Sequence, residues 1–216
     1  MSKNLFLKFT ALAALGLATS FASAATKTIE FGETTVTLDP GFVSALQSLN
    51  LNVDVISPSR ANLSQGVVSF PAVAGAVDLV TAKGEIIHSG GLILSAGTTT
   101  VRLQSFTIDT TGASGGLVLT GLVTVNDTLV GRLPLFNLQL PPGFTTPLQA
   151  SNGFLTLNGV VLNLNATAAG ALNSTFNTNA LPTTGAFLIG TANVAAFVGT
   201  DPLLELFGQL NLKNGR

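Results

Sequence analysis

Apolar and polar residues alternate along most of this chain with the two-residue period of half-buried strands. Residues 28–31 and 34–38 read as two short strands joined by a tight turn at Gly32-Glu33. The period then changes. Asp39-Pro40 supplies a helix N-cap followed by proline at the first helical position, and Phe42, Leu46 and Leu49 recur at helical spacing. Residues 51–60 read as extended and closed by Ser57-Pro58. Strand patterns follow at 67–70, 76–80, 85–88, 91–95 and 99–108. Turn chemistry separates them at Ala74-Gly75, Lys83-Gly84, Ser89-Gly90 and Ala96-Gly97.

Leu117, Leu119, Val123 and Val125 continue one apolar face past Gly121, and Asn126-Asp127 forms the next predicted turn. Residues 129–140 form another strand region. It contains Pro134, which lacks an N–H for a ladder and so marks an edge or a bulge. Pro141-Pro142-Gly143 makes the largest break, with a long connection to Asn152. Strand returns at 155–164, with Asn158-Gly159 as a hairpin turn, and an alanine-rich helix follows over 165–177. Residues 186–192 form the last strand, and 201–216 read as a helical turn or a loosely packed tail. Strand runs at this spacing, with glycine-rich turns, predict an all-β fold: an antiparallel sandwich or barrel with two short helices. The expected core comprises Phe70, Leu79, Ile86, Leu92, Leu94, Val101, Leu103, Leu119, Val123, Leu135, Leu157 and Phe176.

The first 24 residues break the pattern. Lys3 and Lys8 precede an apolar run, and Ala22-Ser23-Ala24 is an A-x-A cleavage site, the three parts of a secretory signal peptide. The expected organisation is therefore a signal peptide at 1–24 and a single β-rich domain over 25–216. Without the signal there is no transmembrane segment of helical length, and the protein is expected to be secreted, periplasmic or at the cell surface.

Composition then removes most chemistry. The 216 residues are 46% hydrophobic and 9% charged, far below the charge content of ordinary domains, so the surface must be built largely from Thr, Ser, Asn and Gln. A net charge of −1 argues against nucleic-acid partners. With no cysteine, disulfides, thiolate metal sites and cysteine nucleophiles are excluded. A single histidine, His88, excludes a multi-histidine metal site within one chain. No P-loop, G-x-S-x-G or H-E-x-x-H is present.

The remaining candidates are few. His88 ends a strand before Ser89-Gly90-Gly91, where it reads either as a ligand contact or as a turn-capping imidazole bonded to backbone. Glu85 and Asp78 are the candidate carboxylate pair, but no nucleophile or oxyanion motif accompanies them, so catalysis is not expected. Arg102 and Arg132 are scarce cations on strands, candidates for ligand binding or for a structural ion pair, with Asp109 or Asp127 facing Arg132. Asn62, Asn126, Asn165 and Asn173 open N-x-S/T triplets, common by chance in such a composition.

Val68-Ser69-Phe70-Pro71-Ala72, followed by Gly75, Asp78, Thr81 and Gly84, resembles the opening of the HtaA-type haem-uptake domain. The stretch from Leu162 to Leu172, with Phe176 and Gly185, is similar to that family's closing segment, a strand leading into an alanine-rich helix. The resemblance spans 66–194 and implies a bacterial cell-envelope or secreted β-domain. It also implies haem held by a tyrosine assisted by a histidine. This chain has no tyrosine, so the ligand set does not carry over, and no cofactor or metal is expected. Taken together, the sequence predicts a non-enzymatic β-domain that binds a small or apolar ligand. A structural or adhesive envelope protein is the alternative.

Overall fold

The structure, a computed structural model, describes residues 26–199. The signal-peptide and tail expectations lie outside the described residues. Thirteen strands and two α-helices follow the chain: β1 (Thr26–Thr28), β2 (Phe31–Leu38), α1 (Pro40–Ser48), β3 (Asn52–Ile56), β4 (Arg60–Asn62), β5 (Val67–Asp78), β6 (Gly84–His88), β7 (Gly91–Ala96) and β8 (Thr99–Asp109). After these come β9 (Val118–Val125), β10 (Thr128–Gln139), β11 (Ala150–Ser151), β12 (Phe154–Leu164), α2 (Ala166–Thr175) and β13 (Leu188–Phe197). The all-β expectation with two short helices holds, and of its two architectures the chain adopts the barrel.

All pairings are antiparallel. The order β5-β2-β13-β12-β10-β9-β8 is closed by β6, which pairs with both β8 and β5. The result is an eight-stranded barrel with the first long strand, β2, set directly against the last, β13. Closure gives each of the eight barrel strands a neighbour on both sides over at least part of its length, which limits the free sheet edge.

Strand β8 serves two neighbours on one edge. Residues Thr99–Gln104 pair with β7 and residues Thr107–Asp109 pair with β6, and a bulge between Gln104 and Thr107 separates the two. Ser105, at φ 53°, sits in that bulge and donates its N–H to the Gly90 carbonyl. Gly90 links β6 to β7 at φ 79°, and a Cβ there would collide with Ser59 and Ile56. Only glycine fits this fork. Beyond it β7 and β3 widen the wall, so one end of the barrel flares.

Both helices close this flared end. Asp39 caps α1 by accepting from the N–H groups of Gly41 and Phe42, and Asn165 caps α2 by accepting from Thr167 N–H. Strand β10 pairs with β12 only through Phe136–Gln139, and α2 packs beside its unpaired first half. At the opposite end the 140–149 connection crosses to the β5–β6 turn, where Leu148 donates its N–H to the Leu79 carbonyl.

Three glycine pairs read as turns lie within continuous strands. Gly32-Glu33 is part of β2, where a Cβ on Gly32 would strike the Ala195 carbonyl of β13. Ala74-Gly75 falls at a bulge inside β5, and Asn158-Gly159 bulges out of β12, with Gly159 N–H bonded to the Asn193 side chain. Pro134 occupies a bulge of β10 that is paired to β9, as one of its two expected placements required. The core formed as expected at Phe70, Ile86, Leu94, Val101, Leu103, Leu119, Val123 and Leu135, all buried. Leu79, Leu92, Leu157 and Phe176 are half-buried against it.

Candidate functional site

Inward-pointing side chains leave a cavity of about 390 Å³ along the barrel axis. That volume lies in the range of small-molecule sites. It reaches from Thr81 and Gly84 in the β5–β6 turn to Leu172 and Thr175 of α2, and Phe70, Leu94, Leu103, Phe106 and Leu135 line its middle. Phe70 and Phe106 meet edge-to-face, with ring centroids 5.1 Å apart and planes at 90°. Val130, at the β9–β10 hairpin tip, lines the cavity and is also 55% exposed, which places an opening at the flared end.

A buried polar pair lies in the wall of this largely apolar interior. His88, 2% exposed, ends β6 opposite Ala72 of β5, and its ring reaches past β5 to the Thr34 hydroxyl of β2. His88 Nε2 and Thr34 Oγ1 are 2.7 Å apart. Ala72 carries only a methyl group, which leaves room for the imidazole above β5. The other ring nitrogen, Nδ1, is sealed from solvent with no well-aligned hydrogen bond, and the Phe106 and Ile86 backbone lies beside the ring. Burial lowers the His88 pKa to about 4, against a weaker opposing pull from the Phe106 and Ile86 backbone. The ring is therefore neutral at physiological pH. The ring does meet backbone, that of Ile86 and Phe106, but from inside the barrel and not at the Ser89-Gly90 turn, because the strand period carries residue 88 to the inner face alongside Ile86.

The other candidates sit elsewhere. Arg102 pairs with Asp127 at 3.6 Å between exposed side chains, an arrangement of little energetic weight. Arg132 meets neither of its expected carboxylates. Its Nη1 donates to the Ser105 carbonyl at 2.9 Å, Thr120 Oγ1 at 3.2 Å and Thr107 Oγ1 at 3.3 Å, so one guanidinium ties β8, β9 and β10 together across the β8 bulge. Neither arginine lines the cavity. Asp109 turns to its own loop: burial pulls its pKa up, but hydrogen bonds from Thr111 and Ser114 hold the carboxyl below its ordinary value. Asp78 accepts from the N–H groups of Val80 and Thr81 and shapes the β5–β6 turn, while Glu85 is exposed. Among the described residues, no group of three or more His, Asp or Glu side chains gathers in a metal-binding arrangement.

The sequence reading did not single out Thr34 as the buried partner of His88. Its signal was present, because Thr34, Val36 and Leu38 share one strand face, and a hydroxyl among inward aliphatic side chains calls for a buried partner.

The fold and its interior define a closed antiparallel β-barrel with an axial apolar cavity. The fold is that of two solved domains. The C-terminal domain of HtaA from Corynebacterium glutamicum matches with a TM-score of 0.58 at 15% identity, covering 80% of this chain and 99% of that one. The N-terminal domain of the same protein matches with a TM-score of 0.56 at 8% identity, covering 81% of this chain and all of that one. The distant HtaA-like resemblance read from the sequence is thus present in the fold. No protein-family model and no curated protein matches the chain.

Proposed function

We propose that this protein is a non-enzymatic, exported binding module that holds an apolar small molecule inside its barrel. The observation that carries the proposal is the axial cavity of about 390 Å³, lined mainly by aliphatic and phenylalanine side chains, with Thr34 and His88 in its wall and Thr81, Lys83 and Thr110 at one end. A well-packed interior leaves few voids larger than a water molecule, so a cavity of this size in a closed barrel is a ligand site by default. Export is supported by the signal-like first 24 residues.

Haem does not fit the donors present. The chain has no tyrosine and no cysteine, and its one imidazole directs Nε2 to Thr34 from a site 2% exposed. An iron ligand needs an open donor and a partner to orient it. The carboxylates follow the same logic: Asp109 and Asp78 are engaged by local loops, which supports binding without catalysis.

Titration of the exported protein with the neutral fluorescent probe N-phenyl-1-naphthylamine tests the reading. Saturable one-site binding with a blue-shifted emission is expected. Probe fluorescence that rises without saturation would overturn it in favour of a structural or adhesive role. In parallel, haemin should give no Soret shift that depends on His88.

A further inference from the structure

The two ends of the cavity differ in chemistry. At the flared end the exposed lining residue is the aliphatic Val130, and Arg102, two strands away on β8, is paired with Asp127 and does not line the cavity. At the other end the β5–β6 turn contributes Thr81, Ala82, Lys83 and Gly84 to the lining, with Thr110 beside them. Thr81 and Lys83 are exposed as well as lining, so this end has a mouth of its own with a polar rim.

Hydrogen bonds hold that rim in place. Thr110 Oγ1 donates to the Ala82 carbonyl at 2.8 Å and accepts from Gly84 N–H at 2.8 Å. The Asp78 N–H donates to the Lys83 carbonyl at 2.8 Å. Lys83 is the only Lys, Arg, Asp or Glu in the cavity lining. The carboxylates near this turn have other roles: Asp78 accepts from Val80 and Thr81 N–H, Asp109 accepts from Thr111 and Ser114, and Glu85 lies on the exposed face of β6. Among the described residues, none of them forms an ion pair with Lys83.

An apolar tunnel with one cation at its mouth discriminates between headgroups. A carboxylate at the rim gains a charge-assisted partner while keeping part of its hydration. An ammonium there is repelled, and a neutral headgroup gains nothing from the charge. Neither charged group can move deeper, because the interior offers no countercharge.

We propose that the barrel takes a long-chain carboxylate, with its headgroup at Lys83 in the β5–β6 mouth and its hydrocarbon chain along the axis toward α2. This rests on the reading of the cavity as a ligand site. The lining runs from the β5–β6 turn to Leu172 and Thr175, which suits an extended chain better than a compact ring system.

The test compares decanoate, 1-decanol and decylamine at pH 8 and low salt, each displacing N-phenyl-1-naphthylamine from the protein. Decanoate should be the best of the three. Lys83→Gln should raise its half-displacement concentration about fivefold and leave that of decanol unchanged, the size expected of one partly exposed ion pair. Lys83→Glu should make decylamine the better competitor. In the wild type, nuclear Overhauser contacts should join the decanoate α-CH₂ protons to Lys83 and Thr81. Decanoate that acts equally on wild type and Lys83→Gln, or α-CH₂ contacts to Val130 instead, would overturn the headgroup assignment and leave the cavity reading intact. So would decanoate that fails to displace a bound probe. Failure of the probe itself to bind would overturn both. Lys83 is exposed, so its variants should fold and bind the probe as the wild type does.

Discussion

His88 and Thr34 meet over β5 from two strands that are not neighbours in the sheet, with Nε2 and Oγ1 2.7 Å apart. The Thr34 hydroxyl is the side-chain partner of the buried ring. Thr34→Val keeps the side-chain shape and leaves His88 Nε2 unsatisfied, which should cost about 1–3 kcal/mol in urea denaturation. Adding His88→Leu to Thr34→Val should recover much of that loss. Strictly additive effects in the double-mutant cycle would mean that the two residues are not coupled.

The depressed pKa of His88 sets a pH dependence of stability. The unfolded ring protonates near its ordinary value of 6.5 and the folded ring near 4, so between these values the unfolded state binds more protons. Stability from this group is complete above pH 6.5 and falls as pH drops toward 4. The total loss is about 3 kcal/mol. Chemical denaturation at pH 7 and at pH 4.5 measures it, and His88→Leu should flatten the difference.

Gly32 faces β13 so closely that a methyl group has no space. Gly32→Ala would drive its Cβ into the Ala195 carbonyl and the Ala196 backbone. Separation of β2 from β13 at that point should lower stability by about 2–4 kcal/mol, within the range of severe single substitutions. Thermal unfolding would report it. A near-neutral result would mean that β2 turns at Gly32-Glu33 after all.

Two phenylalanine clusters should differ in weight. Phe106 is buried against Phe70 at the cavity wall, and Phe106→Ala should cost about 3–5 kcal/mol. Phe31, Phe154 and Phe197 form a ladder on the outer surface of β2, β12 and β13, with Phe31 stacked on Phe197 at 4.9 Å. Phe31 is 53% exposed, so Phe31→Ala should cost about 1–2 kcal/mol, partly through the lost ring pair. Parallel denaturant titrations compare them.

Arg132 holds strands and not a ligand. Loss of its hydrogen bonds to Ser105, Thr107 and Thr120 in Arg132→Ala should lower stability by about 1 kcal/mol and leave probe binding unchanged. A weakened probe affinity at full folding would return Arg132 to the binding site.

Local chemistry was legible wherever it acts within a few residues. Asp39-Pro40 and Asn165 start helices, and Asn126-Asp127 turns with both φ angles positive, at 46° and 64°. The period-two pattern likewise located most of the core. What misled was glycine, because its absent side chain serves two purposes. At Gly90 it permits a positive φ at a fork, whereas at Gly32 it permits a neighbouring strand to approach, and the sequence writes both the same way. The Gly32 misreading hid Thr34, since a hairpin there makes residue 34 the start of a new strand instead of the middle of one. Arg132 was misplaced for a different reason. Its partners are a carbonyl exposed by the β8 bulge and two hydroxyls, and a bulge leaves no charge signature in the sequence.

The seam between β2 and β13 joins Phe31 to Phe197, so the ring of strands completes only when the two ends of the domain come together. During synthesis, every earlier strand pair can form while β2 still lacks its second neighbour and β12 lacks one as well. Such long-range closure makes folding slow and leaves unpaired strand edges in the intermediates. The ring of strands therefore cannot close until residues near 197 have emerged.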